Sequence, residues 1–311
     1  MTADDLVRGA VDAPGATRRL RATASRLARE GPRPGASWCS AWTDEVDGLL
    51  VELLSACDEP TRRSVALVAV GGFGRRELCP ASDIDLLVLH GGLAQDALEQ
   101  LVRTVVYPLW DVGLTVGYAV RTRREALDAV EELDAATALL DARLLAGDSG
   151  LVSQVRVEAL RRITRRPQRF LAQLLAADED RHARTSTPTE TLEPDLKLGA
   201  GGLRDLQSLR WAAAALVGSP GLDPLVPAGF LSAPDLPRLR RAGEGLLAAR
   251  VALHLARAER DGRTDAPARQ SAKDETVRFE LHEAIATRLG HVDGGPSDLA
   301  PHRLLRGLAL D

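Results

Sequence analysis

Residues 71–90 read GGFGRRELCPASDIDLLVLH. They follow SVALVAV, Ser64 to Val70, an apolar and β-branched run of strand length, and they close with a second such run, IDLLVLH. Between two buried strands the chain sets Gly71, Gly72 and Gly74, which permit a tight backbone and close approach of a ligand. Asp83 and Asp85 stand at i and i+2 where the second strand starts, so the period of two points both carboxylates to one face. Two like charges held side by side repel unless a cation lies between them. Hard divalent cations such as Mg²⁺ accept such carboxylates together with phosphate oxygens, so the pattern implies a metal-dependent phosphate chemistry.

A glycine pair, a spacer of about ten residues and an Asp-x-Asp opening a strand resembles the signature of the nucleotidyltransferase superfamily. The longer string, GGFGRREL, then Pro80, then SDIDLL, is more similar to one branch, the protein-PII uridylyltransferases and their relatives the glutamine synthetase adenylyltransferases. Three further blocks in the second half carry the same resemblance: ATALLDARLLAGD (Ala136 to Asp148), LEPDLKLGAGGLRDLQSLRW (Leu192 to Trp211) and LLAARVALHLARAER (Leu246 to Arg260). In the family the middle block takes a form close to LEPN-K-GPGGLRDIQ. Here Asp195, Leu198 and Ala200 stand where Asn, Glu and Pro are common, and Tyr118 stands where His is usual. Related adenylyltransferases have a third carboxylate near Tyr118, but the stretch Leu114 to Val120 holds no acid. Full-length uridylyltransferases continue into an HD phosphohydrolase and paired ACT domains. This chain ends first and contains no His-Asp dipeptide, so a truncated form lacking both is expected.

With 311 residues, 45% hydrophobic and 27% charged, the composition is that of a soluble globular protein with room for two domains. A net charge of −4 gives no global attraction to nucleic acid, so no generic nucleic-acid binding is expected. Cys39, Cys57 and Cys79 lack CxxC spacing, which favours buried thiols over a zinc site or a disulfide framework. Asp4, Asp5 and Asp12 stand where a signal peptide needs an apolar core, and no run approaches the ~20 apolar residues of a membrane span. The expectation is a cytoplasmic protein with no membrane contact.

The expected fold class is α+β: an α/β nucleotidyltransferase core with a small mixed sheet, followed by an all-helical domain. Residues 1–60 read as an N-terminal helical segment, with helices over 16–30 and 38–56 separated by GPRPG; Trp38 and Trp42 fall on the apolar face of the second. The core covers 61–149: the two strands above, an amphipathic helix over 94–109, a third strand over 114–120, then helices over 123–132 and 135–146 with Gly147 as the stop. A helical PII-uridylyltransferase-like domain covers 150–290, with helices at about 150–164, 167–182, 203–217, 234–260 and 273–289 and a polar loop over 185–202. Residues 291–311, rich in Gly and Pro, read as a flexible tail.

The resemblance implies that Asp83 and Asp85 are catalytic and hold two Mg²⁺ ions against a nucleoside triphosphate, UTP or ATP. It also implies that the Gly71 and Gly72 amides with the Ser82 hydroxyl cradle the β- and γ-phosphates, and that Arg75 meets the pyrophosphate leaving group. The implied nucleophile is a tyrosine hydroxyl of a PII-like partner. Of 40 basic residues only Lys197 and Lys273 are lysines, so Lys197, beside a glycine-rich loop, reads either as a compact ammonium facing a phosphate or as a solvent-exposed side chain. Arg76 and Glu77 read as an exposed pair needing no function, Asp205 as a helix-start residue, His254 as a packing residue, and Arg161 to Arg169 as a solvated face. Two function classes stay open: an active nucleotidyltransferase, and a catalytically impaired paralogue that binds nucleotide or a PII-like partner.

Overall fold

The structure, a computed structural model, describes residues 13–29, 35–185, 192–262, 274–294 and 299–310. The acidic N-terminal residues, the GPRPG linker up to Pro34, the middle of the polar loop over 185–202 and Lys273 lie outside the described residues. Its centre is a four-stranded mixed sheet of β1 (Val65–Ala69), β2 (Ile84–His90), β3 (Val116–Thr122) and β4 (Arg143–Gly147), ordered β3-β2-β1-β4. β1 runs antiparallel to both β2 and β4, and β2 runs parallel to β3 through the crossover helices Gln95–Val105 and Tyr107–Asp111. Pro108, which cannot donate to a helix ladder, marks the break between those two helices where a single one was expected. The α+β class therefore holds.

Strand alternation divides the core. Val65, Leu67 and Ala69 of β1 with Ile84, Leu86 and Val88 of β2 pack on one face, against the helix Ala36–Ser55, including Trp38 and Trp42, and against Leu101 and Leu109 of the crossover. Ala66 and Val68 with Leu87 and Leu89 face the other way, onto the helices Leu133–Leu140, Ser149–Arg165 and Leu203–Val217. Both faces are thus dry, and each core runs across residue 150. A third cluster joins the helix Asp235–Arg260 to the helices His282–Arg288 and Ala300–Leu310.

Further elements differ from the expectation. The stretch 135–146 splits into the helix Leu133–Leu140 and strand β4, although its composition favours helix throughout. Long-range pairing to β1 overrides that propensity, helped by Arg143, which reaches Asp47 at 2.7 Å and the Phe73 carbonyl at 3.1 Å. Gly147 is not a helix stop: at φ +96° it lies so close to β1 that a Cβ would stand 2.1 Å from the Val65 carbonyl oxygen. The expected helix over 273–289 begins with an extended segment that bridges Asp195 to Thr276, and only His282–Arg288 is α-helical. The stretch read as a flexible tail contains the helix Ala300–Leu310, with Ala300 and Leu304 buried.

Among the described residues no helix is long and apolar enough to cross a membrane. Local signals set several helix starts: Asp58 accepts from the Thr61 amide at 2.7 Å, Thr122 and Glu125 form a capping box, and Asp148 accepts from Gly150 and Leu151. Two glycine substitutions test the packing argument in opposite directions. Gly74→Ala puts a Cβ 2.1 Å from the Asp141 carbonyl oxygen and is expected to cost about 3 kcal/mol in urea unfolding. Gly48→Ala meets nothing within 4 Å inside the helix Ala36–Ser55 and is expected to stabilise by roughly 0.5–1 kcal/mol.

Candidate active site

Asp85 shares its sheet face with Leu87 and Leu89, but at the strand's entrance that face is not covered by helix. There it opens into a cavity of about 520 Å³. Two glycines bring backbone against the carboxylate. A Cβ on Gly71, which sits at φ +57° in the helical turn Gly71–Gly74, would stand 3.4 Å from Asp85 Oδ2; one on Gly117, the β3 partner of Asp85, would stand 3.3 Å from Oδ1. All seven residues expected from the sequence, Gly71, Gly72, Arg75, Ser82, Asp83, Asp85 and Lys197, line this cavity.

Charges within it are balanced across the two halves of the chain. Burial pushes the Asp85 carboxyl up, and Asp83 pushes it further, while Lys197 and Arg75 pull it back. Burial pushes the Lys197 ammonium down, reinforced by Arg250 and Arg204 and opposed by Glu275 and Asp83. Lys197 makes no ion pair among the described residues, and neither does Arg204, whose guanidinium lies over Trp211 at 5.3 Å from the ring centroid. Arg75 is differently placed: its Nε donates to Glu77 at 2.7 Å and its Nη1 to Asp141, so its charge is already matched. Among the described residues, the cavity-lining cations that make no ion pair are therefore Lys197 and Arg204.

The loop leading into Asp83 is held from the helical half. The Ala81 amide donates to His254 Nδ1 at 3.2 Å, and His254 Nε2 lies 3.0 Å from Glu275 Oε2. Accepting at Nδ1 fixes the tautomer, so Nε2 carries the hydrogen and donates to Glu275. Arg250 donates to Glu275 Oε1 from Nε at 2.9 Å and Nη2 at 2.6 Å, and from Nη1 to Cys79 Sγ at 3.5 Å. Within the loop Cys79 N donates to Ser82 Oγ at 2.9 Å, so Ser82 braces its own turn while lining the cavity. His254 is buried as expected, but as a hydrogen-bonding member of this network rather than by packing alone.

The donor set suits a hard cation. Asp83 and Asp85 offer carboxylate oxygens from alternate positions, and among the described residues no third His, Cys, Asp or Glu joins them as a metal-binding group. Mg²⁺ takes one or two carboxylates and completes its shell with water and phosphate oxygens, so the pair fits it. On β3 the positions facing the same way as Asp85 are Gly117, Ala119 and Arg121, which gives the missing third carboxylate a structural form.

Sequence reading missed Asp141, Gln207, Trp211 and Arg250, all of which line the cavity. Glu77 is not exposed but largely buried, bridging Arg75 and, at 3.0 Å, Arg210; Arg76, at φ +63°, pairs outward with Asp44. Asp205 is structural: it accepts from Gly201 N at 2.6 Å and holds Arg181 and His182. Of the arginine-rich run, Arg162 reaches the Leu127 carbonyl at 2.7 Å and Arg169 pairs with Glu131. Cys39 and Cys79 are buried with their sulfurs 3.7 Å apart, and Cys57 is half-buried.

A small mixed sheet carrying a glycine turn and an Asp-x-Asp at the entrance of the adjacent strand places the chain in the nucleotidyltransferase superfamily. Comparison narrows this. The GlnD PII-uridylyltransferase family profile matches residues 169–306. The chain is 33% identical over 261 residues to a bifunctional uridylyltransferase/uridylyl-removing enzyme of Xanthomonas campestris pv. campestris, covering 84% of this chain and 28% of that relative. It is 36% identical over 231 residues to the protein so named in Rhodospirillum rubrum (74% and 23%) and 38% identical over 234 residues to that in Streptomyces coelicolor (74% and 26%). The chain belongs to the PII-uridylyltransferase family and spans about a quarter of the length of these curated relatives.

The buried network yields two expectations. Glu275→Gln keeps the shape but leaves Arg250 without a counter-charge, which should cost about 3–5 kcal/mol in urea unfolding. Burial would raise Glu275, yet His254 and Arg250 hold it far below the ordinary carboxylate range, and burial pushes His254 down. Both folded pKa values lie below their unfolded ones. Stability is therefore complete above about pH 6.5 and falls as the pH drops through the folded values, so the urea midpoint at pH 5 should lie below that at pH 7.

Proposed function

We propose that the cavity binds a nucleoside triphosphate with Mg²⁺ and transfers its nucleotidyl group, UMP, to a tyrosine hydroxyl of a PII-like protein, with release of pyrophosphate. The observation that carries this reading is the convergence in one cavity of the Asp83–Asp85 pair and two partly buried cations that make no ion pair among the described residues, Lys197 and Arg204. Bound at the two aspartates, Mg²⁺ would supply charge neutralisation along the triphosphate.

The chain's own residues then have separable tasks. Gly71 and Gly72, with no side chains, let phosphate oxygens approach the backbone of the helical turn. Lys197 and Arg204 face the negative charge that grows on the bridging oxygen and the β-phosphate as the bond from the α-phosphorus to that oxygen breaks. Arg75 acts one step back, paired with Asp141 in the cavity wall and with Glu77 behind it, rather than meeting the leaving group itself. The acceptor oxygen forms the new bond at the α-phosphorus, loses its proton, and leaves a nucleotidyl-tyrosine and pyrophosphate.

UTP is named over ATP because the relatives carry uridylyltransferase in their names. A second reading, binding without turnover, draws on the Gly117, Ala119 and Arg121 positions of β3, where no acid faces Asp85.

Asp85→Asn separates the two readings, because it removes a charge and almost no volume. In a transfer assay with labelled UTP, Mg²⁺ and a PII-like protein, the unaltered chain should label the partner and Asp85→Asn should label it at least about a hundred-fold more slowly. A chain that binds UTP and labels nothing supports the binding-only reading. Equal rates for the two chains would remove Asp85 from the site. Lys197→Ala should weaken triphosphate binding about ten-fold by calorimetry, and an unchanged dissociation constant would make that ammonium a bystander.

A further inference from the structure

The cavity is chemically uneven. One part holds Asp83, Asp85 and Lys197, whose charges act on one another. Another is walled by the helix Leu133–Leu140, with Asp134 and Thr137, and by the helix Leu203–Val217, with Gln207 and Trp211. The Asp134 carboxylate disfavours phosphate in that second part; Arg204 stands over the Trp211 ring at its side, Asp141 is engaged by Trp211 and Arg75, and Thr137, Gln207 and Trp211 are uncharged. An uncharged portion of the nucleotide fits there.

Of the buried polar side chains of this wall, Thr137 and Trp211 are already committed and Gln207 is not fully satisfied. The Thr137 hydroxyl donates to the Asp134 carbonyl at 3.1 Å, and Trp211 Nε1 donates to Asp141 at 3.2 Å. Gln207 is 6% exposed, and its Oε1 has no hydrogen-bond partner among the described residues. An amide oxygen taken out of water without a partner destabilises the unliganded chain. That cost is recovered if a ligand supplies the missing group, and rotation about the terminal side-chain bond lets either edge of the amide face it.

We propose that this part of the cavity is a nucleobase subsite and that the Gln207 amide pairs with a uracil-type base. The amide oxygen accepts the base N3–H, and the amide NH₂ donates to the neighbouring ring carbonyl. Trp211 lines the same part of the cavity, with the Arg204 guanidinium over its ring at 5.3 Å from the centroid. This subsite rests on the nucleotide reading above and deepens it. An amide can pair with adenine as well, so Gln207 demands a donor beside an acceptor on the base edge, and it is that demand which the test addresses.

Titration calorimetry with UTP, N3-methyl-UTP and inorganic tripolyphosphate, each with Mg²⁺, on the full chain and on Gln207→Leu, decides the matter. The unaltered chain should bind UTP at least about ten-fold more tightly than N3-methyl-UTP. Gln207→Leu should bind the two about equally and retain the unaltered chain's affinity for tripolyphosphate. A Gln207→Leu chain that keeps the full preference for UTP overturns the subsite and leaves the phosphate reading standing. So does an unaltered chain that binds N3-methyl-UTP as tightly as UTP, a comparison that needs no variant to fold. A chain that binds neither UTP nor tripolyphosphate overturns the proposed function together with the subsite.

Discussion

Glu275, with 2% of its surface exposed, accepts two hydrogen bonds from Arg250 and one from His254, and His254 in turn accepts the Ala81 amide. The geometry of the site hangs on this buried chain of contacts. A charge so deep is tolerated only when its partners are complete, so the helix Asp235–Arg260, which supplies both Arg250 and His254, cannot move away from the loop at Cys79–Ser82 without stranding it. That loop delivers Asp83 and Asp85. The constraint therefore passes from the helical half to the carboxylates, and the site is assembled by folding of the whole chain rather than by the sheet alone.

The sheet contributes the other half of the constraint. Both its faces are covered by helices, except where Asp85 replaces an apolar residue at the entrance of β2. At that point Gly71 and Gly117 bring backbone rather than side chains against the carboxylate, which keeps the space before it open. Lys197 and Arg204 close the opposite side from a segment more than a hundred residues further along the chain. Both are partly buried and make no ion pair among the described residues, a costly state for a positive charge in the absence of ligand, and an anionic ligand reverses that cost. The cavity is thus built to be occupied.

Sequence alone reveals what local pattern dictates. The strand, glycine turn and strand from Val65 to His90 are legible because apolar runs of strand length flank glycines and two alternating acids. Lys197 is legible because lysine is so rare in this chain that its placement beside a glycine loop calls for a reason. Strand β4 is not legible: its residues suit a helix, and only the open edge of β1 and the Arg143–Asp47 pair make them a strand. Glu275 carries no local signal either, and Gln207 only its place in a block that resembles the family, with no role attached to it. Their roles arise from burial and from partners, or the lack of them, that chain order does not show. The carboxylate missing from β3 was visible as composition, but the register that sets Gly117 opposite Asp85 was not.

The most direct test is a crystal structure of the chain with Mg²⁺ and a non-reactive UTP analogue. The account predicts metal on both Asp83 and Asp85, the triphosphate reaching Lys197 and Arg204, and contacts to the nucleotide from both the sheet and the helix Leu203–Val217. Nucleotide bound outside this cavity, or held by the sheet residues alone with the helical half uninvolved, would contradict it.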